Sequence, residues 1–135
     1  MEISRKSIEP FHARVSIGLN RHYSDELLLK EDVIKAIQAY QAKLISERDV
    51  YLAVSISDAL IVLRNQKEPH LILNFINYPR FPLNDADLKS EIENLVKHLM
   101  AKFSQNRVVI EFNDETVMLD KSIEIDPRIV ANNQS

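Results

Sequence analysis

The chain contains no cysteine, which removes disulfides, thiolate zinc sites and thiol nucleophiles together and is consistent with a reducing compartment. Glycine is almost as scarce. The single one, Gly18, cannot build a dinucleotide fingerprint, a P-loop or a nucleophile elbow, each of which needs two or more glycines for close backbone approach. No positive excess is present to attract phosphate backbones or anionic lipid, because 17 Lys+Arg stand against 20 Asp+Glu for a net charge of -3. Nucleic acid and membranes are therefore not expected partners. The longest uninterrupted aliphatic run, 59–63, is far shorter than the ~20 residues of a membrane span. The first ten residues carry Glu2, Arg5, Lys6 and Glu9 and lack the apolar stretch of a secretory signal, so a cytoplasmic location is expected.

What is present fits one globular domain: 135 residues, 45% hydrophobic and 27% charged, long enough to bury a core without staples. Two segments have helical periodicity. Leu88, Ile92, Leu95, Leu99 and Phe103 form one apolar stripe on a helix that Pro82 precedes and Asn84 can cap; Val33, Ile37, Tyr40 and Leu44 form another. Period-two alternation over 13–20, 51–57, 71–77 and 108–113 marks four strands, with 59–64 extending the second past a bend and 65–68 turning into the third. A short alternating piece at 122–126, closed by Pro127, adds a possible extra C-terminal edge strand. The expected division is an N-terminal extension over 1–9, a single domain over 10–126 and a C-terminal tail over 127–135.

A pseudo-repeat supports the order strand, helix, strand, strand, helix, strand. Pro10 and Pro69 lie 59 residues apart, as do Ala42, Lys43 and Leu44 from Ala101, Lys102 and Phe103. The chain reads as an α+β fold: two βαβ halves forming a four-stranded mixed sheet with two helices on one face. Strand parity makes one sheet face apolar throughout. The other mixes Arg14, Ser16, Gly18, Tyr51, Ile72, Asn74, Ile76, Val109 and Glu111, and an open face of that kind usually finds a partner.

Chemistry is sparse. Tyr78, Pro79, Arg80, Phe81 and Pro82 form a loop pre-ordered by two prolines, fit to present Arg80 to a carboxylate; the plainer reading is a stiff linker into the second helix. His12, His22, His70 and His98 lack metal-ligand spacing, although His12 and His70 each begin a strand and invite an approach across the sheet. Glu111, Asp114 and Glu115 cluster after the last core strand, where burial would raise a carboxyl pKa and solvation would leave an ordinary turn. Serines without glycine-built oxyanion geometry do not make a hydrolase.

The strand order, the two-half repeat and the mixed outer face resemble the tautomerase superfamily, which contains macrophage migration inhibitory factor. The likeness is carried by Tyr51, Leu52, Ala53 and Val54 as a second strand, by Glu68 and Pro69 as the turn into the next, and by 106–114 as the last core strand with its acidic turn. It implies a homotrimer whose sheets enclose a channel. Family members use an amino-terminal proline as base, since a secondary amine keeps the lone pair that an amide delocalises. This chain begins Met1, Glu2, and Pro10 is an internal amide unless processing frees it, so the resemblance implies a domain without that activity and with a small-molecule-binding or structural role. Val109 stands where a tyrosine is often found. The candidate binding residues are Arg14, Tyr78, Arg80 and Glu111, with a small anionic ligand expected and no cofactor or metal. The alternative is a ferredoxin-like regulatory or protein-interaction module that binds a partner on the open sheet face.

Overall fold

The computed structural model describes residues 1–124, 126 and 127. Strand β1 (His12–Gly18) leads to helix α1 (Lys30–Arg48), then β2 (Val54–Leu63), β3 (Gln66–Ile76), helix α2 (Asp85–Lys102), β4 (Arg107–Phe112) and β5 (Thr116–Asp120). The tail expected from 127 lies, except for Pro127, outside the described residues.

Helix α2 forms where its local chemistry says it should. Asn84 Oδ1 accepts the Asp87 N–H at 2.8 Å, Asp85 and Asp87 occupy the positive first turn, and the apolar stripe from Leu88 to Leu99 is buried. Helix α1 starts without a side-chain cap, at Leu29, and ends at Asp49, which takes the left-handed φ of 55° usually left to glycine. In a chain with one glycine, Arg64 (φ 54°) and Ser104 (φ 54°) do the same work at the β2–β3 turn and after α2.

The sheet order is β2-β3-β1-β4-β5 and every pairing is antiparallel, so the expected mixed sheet is corrected on this point. The reason is topological. In each βαβ half the two strands run parallel, but a strand of the other half is inserted between them: β3 separates β2 from β1, and β1 separates β3 from β4. This is the split arrangement of ferredoxin-like α+β folds. Both helices cover one face, where Val15, Ile17, Leu71, Leu73, Ile110 and the stripes of α1 and α2 make one core.

Three local expectations change. The second strand runs unbroken through Ser57 and Asp58, and the hairpin turns at Arg64 and Asn65, leaving Glu68 and Pro69 within β3, where Leu60 pairs Pro69. The fifth strand is Thr116–Asp120, not the 122–126 piece, because the acidic turn after Phe112 closes a tight hairpin, its Phe112 N–H donating to Glu115 O at 2.8 Å. The β2–β3 pair extends past the end of β1, which meets β3 only from Ile76 to His70. A two-stranded ribbon, residues 60–69, therefore stands beyond the body of the sheet.

Candidate functional site

That ribbon makes the site. On the open face of the sheet, Arg14, Ser16 and Gly18 of β1 and Arg107 and Val109 of β4 form the floor of a cleft of about 470 Å³. Ile61 and Leu63 of β2 and Gln66, Glu68 and His70 of β3 wall one side; His22, Tyr23, Gln105, Asn106 and Asp126 close it. Apolar ribbon side chains beside amides and carboxylates give the mixture typical of small-molecule sites.

Gly18 decides the depth of this cleft. A Cβ at Gly18 would run into Glu68 Oε1 and would lie 3.4 Å from both Gln105 Oε1 and His70 Nε2. The absence of a side chain lets the Glu68 carboxylate drop onto the strand, where it is 21% exposed. His70 lies beside it, Nε2 3.6 Å from Glu68 Oε1, and its Nδ1 shares a 2.8 Å hydrogen bond with Ser16 Oγ. The ring is thus held on one side by the strand floor and set against the carboxylate on the other.

The floor arginines already have acids. Arg14 Nη1 is 2.9 Å from Glu111 Oε2 across the β1–β4 register, and Arg107 pairs with Asp120. Asp120 raises the Arg107 pKa through their hydrogen bond. Arg107 Nη2 also donates to Glu124 O at 3.1 Å, which ties the chain after β5 to the rim. The rim is fixed further by Tyr23, whose hydroxyl accepts from Asn106 Nδ2 at 2.8 Å and donates to Glu124 O at 3.1 Å. His22, at φ 51°, packs its ring 4.6 Å from Tyr23 and lies 3.5 Å from Glu124. With its arginines neutralised and carboxylates within it, the cleft is better matched to a cation than to a phosphate.

Arg14 and Glu111 are thus brought together, with Arg14 lining the cleft. Tyr78 and Arg80 are elsewhere. Tyr78 lines a separate cavity of about 360 Å³ with Gln41, Ile45, Tyr51, Leu52, Ala53 and Phe81. There Phe81 stacks on Tyr51 at 4.1 Å and the Arg80 guanidinium lies 5.8 Å from the Phe81 ring. The loop is stiff for a reason beyond its prolines: Asn77 exchanges two hydrogen bonds with the Leu83 backbone, at 2.7 and 3.0 Å. His12 and His70 do not meet, since antiparallel pairing sets His12 against Ile76 and His70 against Gly18 at opposite ends of β1. The acidic cluster divides as well. Asp114 lies 2.8 Å from Lys89, whose hydrogen bond and charge lower its pKa rather than raise it.

Among the described residues no cluster of three or more His, Cys, Asp or Glu side chains could hold a metal, and no helix is long and apolar enough to cross a membrane. Glu68, His70, His22, Gln105 and Asn106 were not singled out as binding residues from sequence. A lone glycine at the end of an alternating strand, the usual mark of a close approach, was the signal that points to them.

No protein-family model matches the chain, and no curated protein matches it. Two solved structures are similar. One is a phage SAM lyase in complex with S-methyl-5'-thioadenosine, with a TM-score of 0.66 at 17% identity, covering 93% of this chain and 100% of that one. The other is a phage SAM lyase in the apo state, with a TM-score of 0.68 at 17% identity and the same coverage. At that identity the likeness shows a shared fold.

Proposed function

We propose that the sheet-face cleft binds S-adenosylmethionine, or a sulfonium compound of the same class, and releases its thioether. The observation that carries this is the Glu68 carboxylate seated over Gly18 between apolar ribbon side chains and the amides of Gln66 and Gln105. A sulfonium nucleoside with an amino-acid tail is a cation with a polar ring and a zwitterionic end. Glu68 supplies charge for the cation, and the amides supply ring contacts. Arg14, where a small anionic ligand was expected, lines the floor with its charge paired to Glu111. The similarity in fold to SAM lyases supports the same class of substrate.

The chemistry asks little of the protein. When the Cγ–S bond breaks, sulfur keeps the electron pair and leaves as a neutral thioether. The substrate's own carboxylate oxygen can supply the pair that replaces it at carbon, closing a lactone with no water consumed. Two opposite charges disappear in that step, so orientation and a water-poor wall favour it.

The test is direct: purified protein is incubated with S-adenosylmethionine and products are read by mass spectrometry. S-methyl-5'-thioadenosine is expected, with kcat/KM in Glu68→Gln reduced by roughly 10- to 100-fold, or about 1.4–2.7 kcal/mol. No binding by calorimetry and no thioether released would reject the reading.

The tautomerase-like relation and its homotrimer stand as a second proposal about assembly. What favours association is the open face itself, where Ile76 is 46% and Met118 54% exposed. Ile72, on the same face, is not part of that surface: on the interior strand β3 it is only 3% exposed. The interaction-module alternative would use the same face. It predicts that Ile76→Ser with Met118→Ser abolishes partner binding and leaves sulfonium binding unchanged.

A further inference from the structure

The charged groups around the cleft do not all act on its interior. Arg14 and Arg107 line it, but each is matched to an acid outside the lining, Glu111 and Asp120. Among the described residues the lining itself carries two carboxylates, Glu68 on the ribbon wall and Asp126 at the closing end. Glu68 serves the sulfonium in the reading above. Asp126 has no part in that reading, although it is only 5% exposed. A carboxylate held out of water acts on an entering cation through little screening solvent.

The chain that carries Asp126 is strapped to this end of the cleft. After β5, the Lys121 N–H donates to Asn106 O at 2.8 Å and Ser122 Oγ donates to Asn106 Oδ1 at 2.9 Å. Two residues before Asp126, the Glu124 carbonyl accepts from Tyr23 Oη at 3.1 Å, Asn106 Nδ2 at 3.3 Å and Arg107 Nη2 at 3.1 Å. A carbonyl oxygen has two lone pairs. Three donors on one such oxygen, drawn from two distant segments, fix the backbone there far more firmly than a chain leaving its last strand requires. The position they fix is the one that delivers Asp126 to the cleft.

We propose that Asp126 binds the α-ammonium of the substrate's amino-acid end, and that the cleft leaves the carboxylate of that end without a protein cation; this rests on the sulfonium reading. In such a substrate the sulfonium and the ammonium are separated by a chain of carbons, so a single cleft with two carboxylates on different segments matches two cations. The ungripped carboxylate follows from the chemistry. It is the nucleophile that closes the lactone, and a guanidinium forked onto its oxygens would hold the electron pair that has to attack. Arg14 and Arg107, matched to Glu111 and Asp120, leave it to react. Asp126 is therefore a specificity-determining residue, selecting a sulfonium that carries an amine over one that does not.

Calorimetry on the full chain tests this with ligands that the lactone-forming step cannot consume. Decarboxylated S-adenosylmethionine keeps both cations and has no carboxylate; a dimethylsulfonium nucleoside has no amino-acid end at all. The first is expected to bind wild type at least ~10-fold tighter than the second, the worth of one charge-assisted contact. S-adenosylhomocysteine tests the carboxylate, and its decarboxylated form should bind no more than ~3-fold more weakly. Asp126→Asn, which keeps the shape and removes the charge, should weaken decarboxylated S-adenosylmethionine ~10-fold or more and leave the dimethylsulfonium nucleoside unchanged. A purely structural Asp126 would instead weaken both together. That result, an ammonium that adds nothing in wild type, or a decarboxylated thioether that binds ~10-fold more weakly than its parent would overturn this proposal and leave the sulfonium reading standing. If Asp126→Asn does not fold, the comparisons in wild type decide. Wild type that binds neither sulfonium compound would overturn the sulfonium reading and this one with it.

Discussion

Gly18 is where one atom decides the most. It ends β1 with nothing beyond its Cα, and the Glu68 carboxylate fills the space a methyl group would take. Its φ is not in the left-handed region, so alanine suits the backbone; the clash is with a flexible side chain that can swing away. Gly18→Ala is therefore expected to fold with a Tm within a few degrees of wild type. S-adenosylmethionine binding or turnover should fall ~10-fold or more as Glu68 is displaced. Calorimetry and thioether release measure this, and an unimpaired alanine variant would detach Gly18 from the site. Sequence alone used this glycine to exclude motifs. Its partner was hidden by hairpin register: with the turn expected at 65–68, Glu68 was outside any strand, and only the tighter turn at Arg64 and Asn65 puts it into the β3 ladder.

At the scale of elements, the two helices show how far local rules reach. α2 has everything a helix start requires, and it was legible from Asn84 onward. Asn84→Ala removes the acceptor for the Asp87 N–H and should cost about 1 kcal/mol in chemical denaturation. An unchanged midpoint would mean that tertiary packing alone sets this end. α1 was legible from its stripe but begins at an apolar residue, and capping rules give no account of Leu29. Strand edges were read less well than strand centres. The alternation at 71–77 and 108–113 was clear because one face is fully buried, whereas the β2 half of the ribbon, 60–63, is aliphatic at every position and period two carries no signal there.

For the whole molecule, packing of layers and links between distant segments set stability. Lys89 of α2 reaches Asp114 at 2.8 Å and Glu115 at 3.5 Å, joining the helix layer to the β4–β5 turn. That hydrogen bond lowers the Asp114 pKa, so the link stabilises the fold above the unfolded carboxyl's pKa and is lost as pH falls through the folded one. The same hydrogen bond raises Lys89, a contribution present below the unfolded lysine pKa and lost as pH rises through the folded value. Lys89→Met should therefore be less stable near neutrality, and its Tm should fall less between about pH 5 and pH 3 than that of wild type. Parallel Tm curves would show that the link carries no acid sensitivity.

The sequence by itself determined the α+β class, the order of the first six elements and the apolar face under the helices, because periodicity is a property of neighbours along the chain. It also placed Arg14 and Glu111 on one open face. Only the tertiary structure decided that the halves interleave, that His70 faces Gly18 instead of His12, and that Glu68 reaches a cleft with residues from the far end of the chain. Those outcomes depend on which strand pairs with which and in what register. Long-range pairing sets both, and side-chain alternation within a strand is the same for every partner it could take.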